Sequence, residues 1–240
     1  AGTPAAFDYR RPANLDAALD MLTEAGPAGR VIAGGQSLGP MLNLRLARPG
    51  ILIDITGIAE LREAAYRDGG VMLGACVTHA SIEDGSVPDA THGVLAQIAG
   101  GIAYRAVRNR GTIGGSLAHA DPAADWVTTL AALGAEVHIA GASGERRLPV
   151  AGFLSGAFET GLADGELLCG VHIPAPSTAA HWGYYKFGRK AGDFADAMAA
   201  VLADPETGAA RTVIGATHAQ PIVIDGEYDA DRVLAAIDEQ

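Results

Sequence analysis

The sequence predicts an α+β fold: a small β-α-β unit, an antiparallel sheet flanked by helices, and a further α+β portion at the C-terminal end. Three observations carry this. Strand, helix and strand patterns follow one another between Phe7 and Ala33. Later apolar runs of strand length are separated by glycine-rich turns, as in an antiparallel sheet. Finally, two short motifs, Val31–Leu38 (V-I-A-G-G-Q-S-L) and Thr112–Ser116 (T-I-G-G-S), each read as an apolar strand end running into a double glycine and soon a serine.

In chain order, Phe7–Arg11 reads as a strand and Pro12 and Asn14 as a helix start. Leu15, Ala18, Leu19 and Leu22 form the apolar stripe of a helix that stops at Gly26-Pro27. Val31–Ala33 is the next strand. Leu38, Met41, Leu42 and Leu46 have helical spacing, and Ile51–Ile55 is a strand ending in Asp54. The break at Thr56-Gly57 sets a first unit of residues 1–57. Two strands flanking Asp68-Gly69-Gly70 predict a hairpin, and Thr78 reads as the N-cap of a helix from His79. Leu95–Ile102 has helical spacing, and a further helix is expected over Pro122–Leu133. Strands follow at Glu136–Ala140, Arg146–Pro149 and Leu167–Ile173, and a Pro-rich linker at Ile173–Pro176 closes a second unit, residues 58–175. In the third, residues 176–240, His181–Arg189 reads as a strand, Lys190–Ala197 leads into a helix, and Asp229–Gln240 is a short acidic helix.

Composition narrows the function classes. Of 240 residues, 49% are hydrophobic and 19% charged, a balance that supports a sizeable soluble core. A net charge of -11 opposes nucleic acid or an anionic membrane as partner. Cys76 and Cys169 are the two cysteines and have no metal or iron-sulfur spacing. No apolar run reaches the roughly 18 residues of a membrane span, and the first residues lack a basic stretch before an apolar core. The chain is read as cytoplasmic. No nucleophile, base and acid set is recognisable around His119 or elsewhere, so no catalytic residue is assigned.

The two glycine motifs carry the functional reading. Without a Cβ, successive glycines let backbone amides converge on one point and cradle an anion. Two such loops, with Ser37 and Ser116 adding hydroxyls, form a clamp for a pyrophosphate, each donor to a charged oxygen contributing roughly 1.5–3 kcal/mol. The common nucleotide signatures are absent: Pro40 stands where a P-loop needs lysine, and neither motif gives G-x-G-x-x-G opening a helix. A dinucleotide held without a Rossmann fingerprint is therefore the class expected. Positive charge gathers at Arg105, Arg108 and Arg110, facing phosphate, an acidic partner or nearby carboxylates, while Arg45 and Arg48 stand beside the first loop.

The runs A-G-G-Q-S-L-G-P-M-L-N-L-R-L-A-R-P (Ala33–Pro49) and V-R-N-R-G-T-I-G-G-S-L-A-H-A-D-P-A-A-D (Val107–Asp125) resemble the two FAD-binding segments of the medium, flavoprotein subunit of molybdenum hydroxylases. That family includes the carbon monoxide dehydrogenase medium subunit and the FAD domain of xanthine dehydrogenase. The resemblance implies a two-subdomain FAD-binding fold of the PCMH/vanillyl-alcohol-oxidase type, residues 1–57 and 58–175, followed by a shortened C-terminal flavoprotein domain of α+β class. It implies FAD on this chain, contacted by Val31, Ile32, Ala33, Gly34, Gly35, Gln36, Ser37, Leu38, Ile102, Thr112, Ile113, Gly114, Gly115 and Ser116. Asp125 matches a ribose or ribityl ligand, Leu168 a residue packed on adenine, and Lys186 a cation near N1 and O2 of the flavin ring, with Tyr185 as the alternative ring contact. Thr78 lies in a segment resembling the family's G-A-x-x-T.

By the same resemblance, partner chains of a heterotrimer carry the rest: a molybdopterin-binding large subunit hydroxylates the substrate, and a small subunit holds two 2Fe-2S clusters. FAD here collects the electrons and passes them to NAD, oxygen or a quinone. Two alternatives stay open at this point, a stand-alone flavin oxidoreductase of the same fold and a non-enzymatic dinucleotide-binding module.

Overall fold

The computed structural model describes residues 2–239; Gln240, where the sequence ends the last helix, lies outside them, as does Ala1. The first unit is β1 (Asp8–Arg10), α1 (Leu15–Ala25), β2 (Gly29–Ile32), α2 (Leu38–Asn43) and β3 (Ile51–Asp54). Its three strands form a parallel sheet in the order β1-β3-β2. Asn14 caps α1, its side chain accepting from the Ala17 amide at 2.9 Å. The apolar stripe of α1 packs on β3, and Cys76 and Leu167 from the next unit complete the same core.

The second unit contains β4 (Ala64–Arg67), β5 (Gly70–Gly74), α3 (His79–Glu83), α4 (Val94–Gly100), α5 (Arg105–Arg108), α6 (Ile113–His119), α7 (Asp125–Leu133), β6 (Glu136–Gly141), β7 (Gly144–Pro149), β8 (Leu154–Gly156), β9 (Glu159–Thr160) and β10 (Leu167–Pro174). Five strands make an antiparallel sheet in the order β4-β5-β10-β6-β7, and β8 and β9 form a separate hairpin. The expected β4–β5 turn is present, with Asp68 and Gly69 both at positive φ, as a two-residue hairpin with right-handed strand twist requires. Thr78 caps α3 through the Ser81 amide. Every residue of α7 is buried.

The C-terminal unit is β11 (His181–Phe187), β12 (Ala197–Asp204), β13 (Ala209–Gly215), β14 (Ile222–Asp225) and α8 (Ala230–Asp238), an antiparallel sheet in sequence order with α8 over the Ile214, Ile222 and Ile224 face. The other face supplies Ala200 and Val213 to the main core around α7. Here the sequence reading fails once. The expected helix after Lys190 is the strand β12, whose Met198, Ala200, Leu202 and Asp204 alternate inward. Alanine favours helix by propensity, but this segment hydrogen-bonds to β11 on one side and β13 on the other and buries its inward face. Tertiary pairing decides.

Candidate functional site

A cleft of about 1030 Å³ runs between the β-α-β unit and the second unit. One wall is the end of α1, β2 and the loop into α2; the opposite wall comes from Gly111–Ser116, Asp125, the β8–β9 hairpin and the start of β10. Its volume lies at the upper end of the roughly 300–1,000 Å³ usual for small-molecule and cofactor sites. Of the residues implicated by sequence, Val31, Ile32, Ala33, Gly34, Gly35, Gln36, Ser37, Leu38, Ile102, Thr112, Gly114, Gly115, Ser116, Asp125 and Leu168 line it.

The first glycine loop has the geometry of an anion cradle. Gly35 sits at φ +70°, a left-handed conformation that glycine adopts without penalty. Among the described residues, the amides of Gly34, Gly35, Gln36, Ser37 and Leu38 donate to no protein acceptor. Gln36 turns its own amide back to the Gly34 carbonyl at 3.2 Å. Gly34 is required for a different reason: a β-carbon there would lie 2.0 Å from the Arg110 carbonyl oxygen. This close approach seats the first loop on the chain that leads into the second motif.

The second motif departs from the expected strand end and loop. Thr112 is an N-cap and Gly114 and Gly115 lie in the first turn of α6. Their amides are already spent: Ile113 donates to Val77, Gly114 to Ala75, Gly115 to the Thr112 hydroxyl and Ser116 to the Thr112 carbonyl, at 2.9–3.0 Å. Ile113 is fully buried in the core and does not reach the cleft. Gly114 is there for packing, since a β-carbon would stand 2.5–2.7 Å from Ala75 atoms, backbone included. What this segment offers a ligand is surface and the Ser116 hydroxyl, not a row of free amides.

Asp125, in the first turn of α7, is 5% exposed and lines the cleft. Its two oxygens accept from the Tyr184 hydroxyl at 2.6 Å and the Lys186 ammonium at 3.1 Å. Burial and the adjacent carboxylate push the Tyr184 phenol well above its ordinary range. Lys186 itself is not among the cleft-lining residues; its ammonium is largely buried and paired with Asp125, which does line the cleft. Strand alternation sets this, because Trp182, Tyr184 and Lys186 share the inward face of β11 while Tyr185, the alternative expected contact, points out and is 69% exposed. Of the basic triplet, Arg105 pairs with Glu83 and Asp84 and Arg108 with Glu83. Arg45 and Arg48 donate to backbone carbonyls of Thr3 and Arg45 and stay outside the cleft.

Sequence reasoning gave no binding role to other cleft residues. His79, Phe158 and His119, the last weighed only as a catalytic base, all line it, His119 and Phe158 with ring centroids 5.2 Å apart. Burial lowers the pKa of His119 despite Asp121. Nothing in the local sequence pattern marks Phe158, which the hairpin turn holds at φ +60° and whose amide donates to Ala120.

Residues 5–176 match the family described as the FAD binding domain in molybdopterin dehydrogenase. The chain belongs to that family. It is 37% identical over 204 residues to the caffeine dehydrogenase subunit beta of Pseudomonas sp. strain CBB1, covering 85% of this chain and 69% of that one. It is 34% identical over 232 residues to the carbon monoxide dehydrogenase medium chain of Hydrogenophaga pseudoflava, covering 96% and 81%. Among solved structures, quinoline 2-oxidoreductase from Pseudomonas putida 86 superposes with a TM-score of 0.85 at 36% identity over 98% of this chain and 85% of that one. The Hydrogenophaga carbon monoxide dehydrogenase that lacks the Mo-pyranopterin moiety gives 0.88 at 32% identity over 98% and 86%. The molecule is thus an FAD-binding oxidoreductase subunit of the medium type found in molybdenum hydroxylases, with the α+β FAD-binding fold expected. No helix among the described residues is long and apolar enough to cross a membrane, and no group of metal-ligating side chains occurs among them.

Proposed function

We propose that this subunit relays electrons through FAD, receiving them from 2Fe-2S clusters on a small subunit that serves a molybdopterin-binding large subunit. It passes them on to NAD, oxygen or a quinone, in the cytoplasm of the cell. The observation that carries the reading is the run of unpartnered amides from Gly34 to Leu38 on the wall of a cleft large enough for a dinucleotide. FAD, when bound, would supply the capacity to accept electrons one at a time and to release them singly or as a hydride.

The chain's own residues supply position and exclusion of water. The Gly34–Leu38 amides and the Ser37 and Ser116 hydroxyls hold the pyrophosphate oxygens, and apolar Ile32, Ile102 and Leu168 pack on the rings and shield them. Asp125, with Tyr184 and Lys186 occupying one lone-pair direction of each oxygen, keeps acceptor capacity for sugar hydroxyls. Lys186 influences the site through Asp125, as a positioning residue. Two free cysteines with thiol pKa values pushed up by burial, Cys169 to about 11 and Cys76 to about 12, suit a reducing compartment.

The test is to purify the chain alone and in complex. The isolated subunit is expected to be yellow with about one FAD per chain and to oxidise no organic substrate. The complex with its two partners is expected to reduce that flavin when the substrate of the large subunit is added. Flavin that stays oxidised in a complex whose iron-sulfur clusters are reduced would rule out the relay.

A further inference from the structure

The cleft wall contains a histidine whose protonation the structure fixes. His79, the first residue of α3, is 5% exposed and lines the cleft. Its Nδ1 accepts from the Trp126 indole N–H at 3.0 Å. An indole nitrogen only donates, so Nδ1 carries no proton and the ring proton resides on Nε2. Burial, reinforced by the Arg108 guanidinium, holds the pKa down to about 4. The ring therefore stays neutral across neutral pH.

The other edge of the ring lies over Gly111, where a β-carbon would come within 2.8 Å of Cδ2 and 3.0 Å of Nε2. Gly111 leaves room for this edge, and Gly111 also lines the cleft. Among the described residues Nε2–H meets no acceptor, and it belongs to a side chain that lines the cleft. Ile102, Ala103 and Val107 line the same cleft. The ionisable groups on the elements about it are Glu83 and Asp84 of α3, Arg105 and Arg108 of α5, Arg110, and Asp125 with Lys186; all of these except Arg110 are tied in ion pairs.

We propose that His79 is an FAD-binding residue, donating from Nε2–H to a neutral acceptor of the bound cofactor, a carbonyl oxygen or ring nitrogen, with Trp126 locking the tautomer. The assignment rests on the FAD-binding reading above. A neutral donor on an apolar wall matches an uncharged acceptor, whereas phosphate oxygens are served by the amides of Gly34–Leu38. Trp126 acts through His79 and is a positioning residue: without its N–H the imidazole is free to carry its proton on Nδ1 and present Nε2 as an acceptor.

The experiment measures FAD affinity by equilibrium dialysis and the imidazole nitrogens by nitrogen-15 NMR, using the full chain. In the unaltered protein Nε2 is expected to be protonated with and without FAD, and its proton resonance is expected to move when FAD is added. His79→Phe, which keeps a ring and deletes the donor, is expected to weaken FAD binding about tenfold, and His79→Gln to retain affinity within about threefold. Trp126→Phe is expected to give a mixture of the two neutral tautomers by NMR. FAD bound with an unmoved Nε2 proton, or a His79→Phe protein with unchanged affinity and flavin absorption, overturns the role of His79 alone. An unaltered protein that takes up no FAD overturns the proposed function and the His79 assignment with it. Should His79→Phe fail to fold, the NMR measurement on the unaltered protein decides.

Discussion

The two glycine pairs look alike in sequence and do different work. At Gly34-Gly35 the backbone turns through a left-handed residue and leaves five consecutive amides without partners among the described residues, whereas at Gly114-Gly115 the backbone enters α6 and spends its amides on Val77, Ala75 and Thr112. The first pair makes a ligand surface; the second makes room for a neighbouring chain. A double glycine by itself states only that a β-carbon is unwelcome. Whether a ligand or the protein excludes it depends on what stands opposite.

The sharpest way to break this comparison is to add a methyl group at each place. Gly114→Ala is expected to destabilise the FAD-free protein by about 3 kcal/mol, because the new carbon collides with the Ala75 backbone, which cannot rotate away. Denaturant unfolding without FAD measures it, and a change below about 0.5 kcal/mol would mean that Gly114 is not a packing residue.

Acid titration sharpens the same contrast on the side of the second motif, where the His79 amide donates to Gly111. The folded-state pKa of His79 lies at about 4, below its ordinary value of 6.5. Between these values the unfolded chain binds a proton that the folded chain refuses, so stability is complete above about pH 6.5 and falls as pH drops toward 4. The loss expected from this residue is on the order of 3 kcal/mol, and His79→Phe is expected to flatten that part of the profile. Identical pH profiles for both proteins would contradict the assignment.

Gly35→Ala comes next. Its β-carbon meets only Ile32 Cδ1 at 3.5 Å, an ordinary contact, so the expected cost of about 1 kcal/mol arises from φ +70°. The larger consequence is expected in FAD retention, since a relaxed backbone turns the cradle amides. Equal FAD content in Gly35→Ala and unaltered protein would remove the cradle from the site.

The smallest effect is expected from Ser116→Ala, which deletes one hydroxyl from the cleft and leaves the Ser116 amide bonded to Thr112. A loss of roughly 0.5–1.5 kcal/mol in FAD binding, with unchanged unfolding of the FAD-free protein, is expected. Dialysis against graded FAD measures this, and a stability loss larger than the binding loss would place Ser116 with the packing residues.

Much of the architecture was legible. Asn14 and Thr78 as caps and the Asp68-Gly69 turn are local signals, settled by residues within a few positions of one another. The helix expected after Lys190 was misread because alanine propensity is weak and β12 has a strand on either side. Of the residues the sequence put forward, the first motif, Asp125 and Leu168 meet along one cleft. The burial of Ile113 in the core and the pairing of Lys186 with Asp125 were not legible, because the direction of a side chain depends on which face its element turns to the core.

By itself the sequence determined most of the element types, the two glycine motifs and, through their resemblance, the FAD-binding family, since caps, turns and periodicity act over a few residues. Only the tertiary structure decided which amides remain free, that Lys186 meets Asp125 across 61 positions and that Trp126 reaches His79 across 47. The physical reason is that a hydrogen-bonding group serves a ligand only if nothing else in the fold satisfies it. That is a property of every segment that packs against it, and local sequence cannot state it.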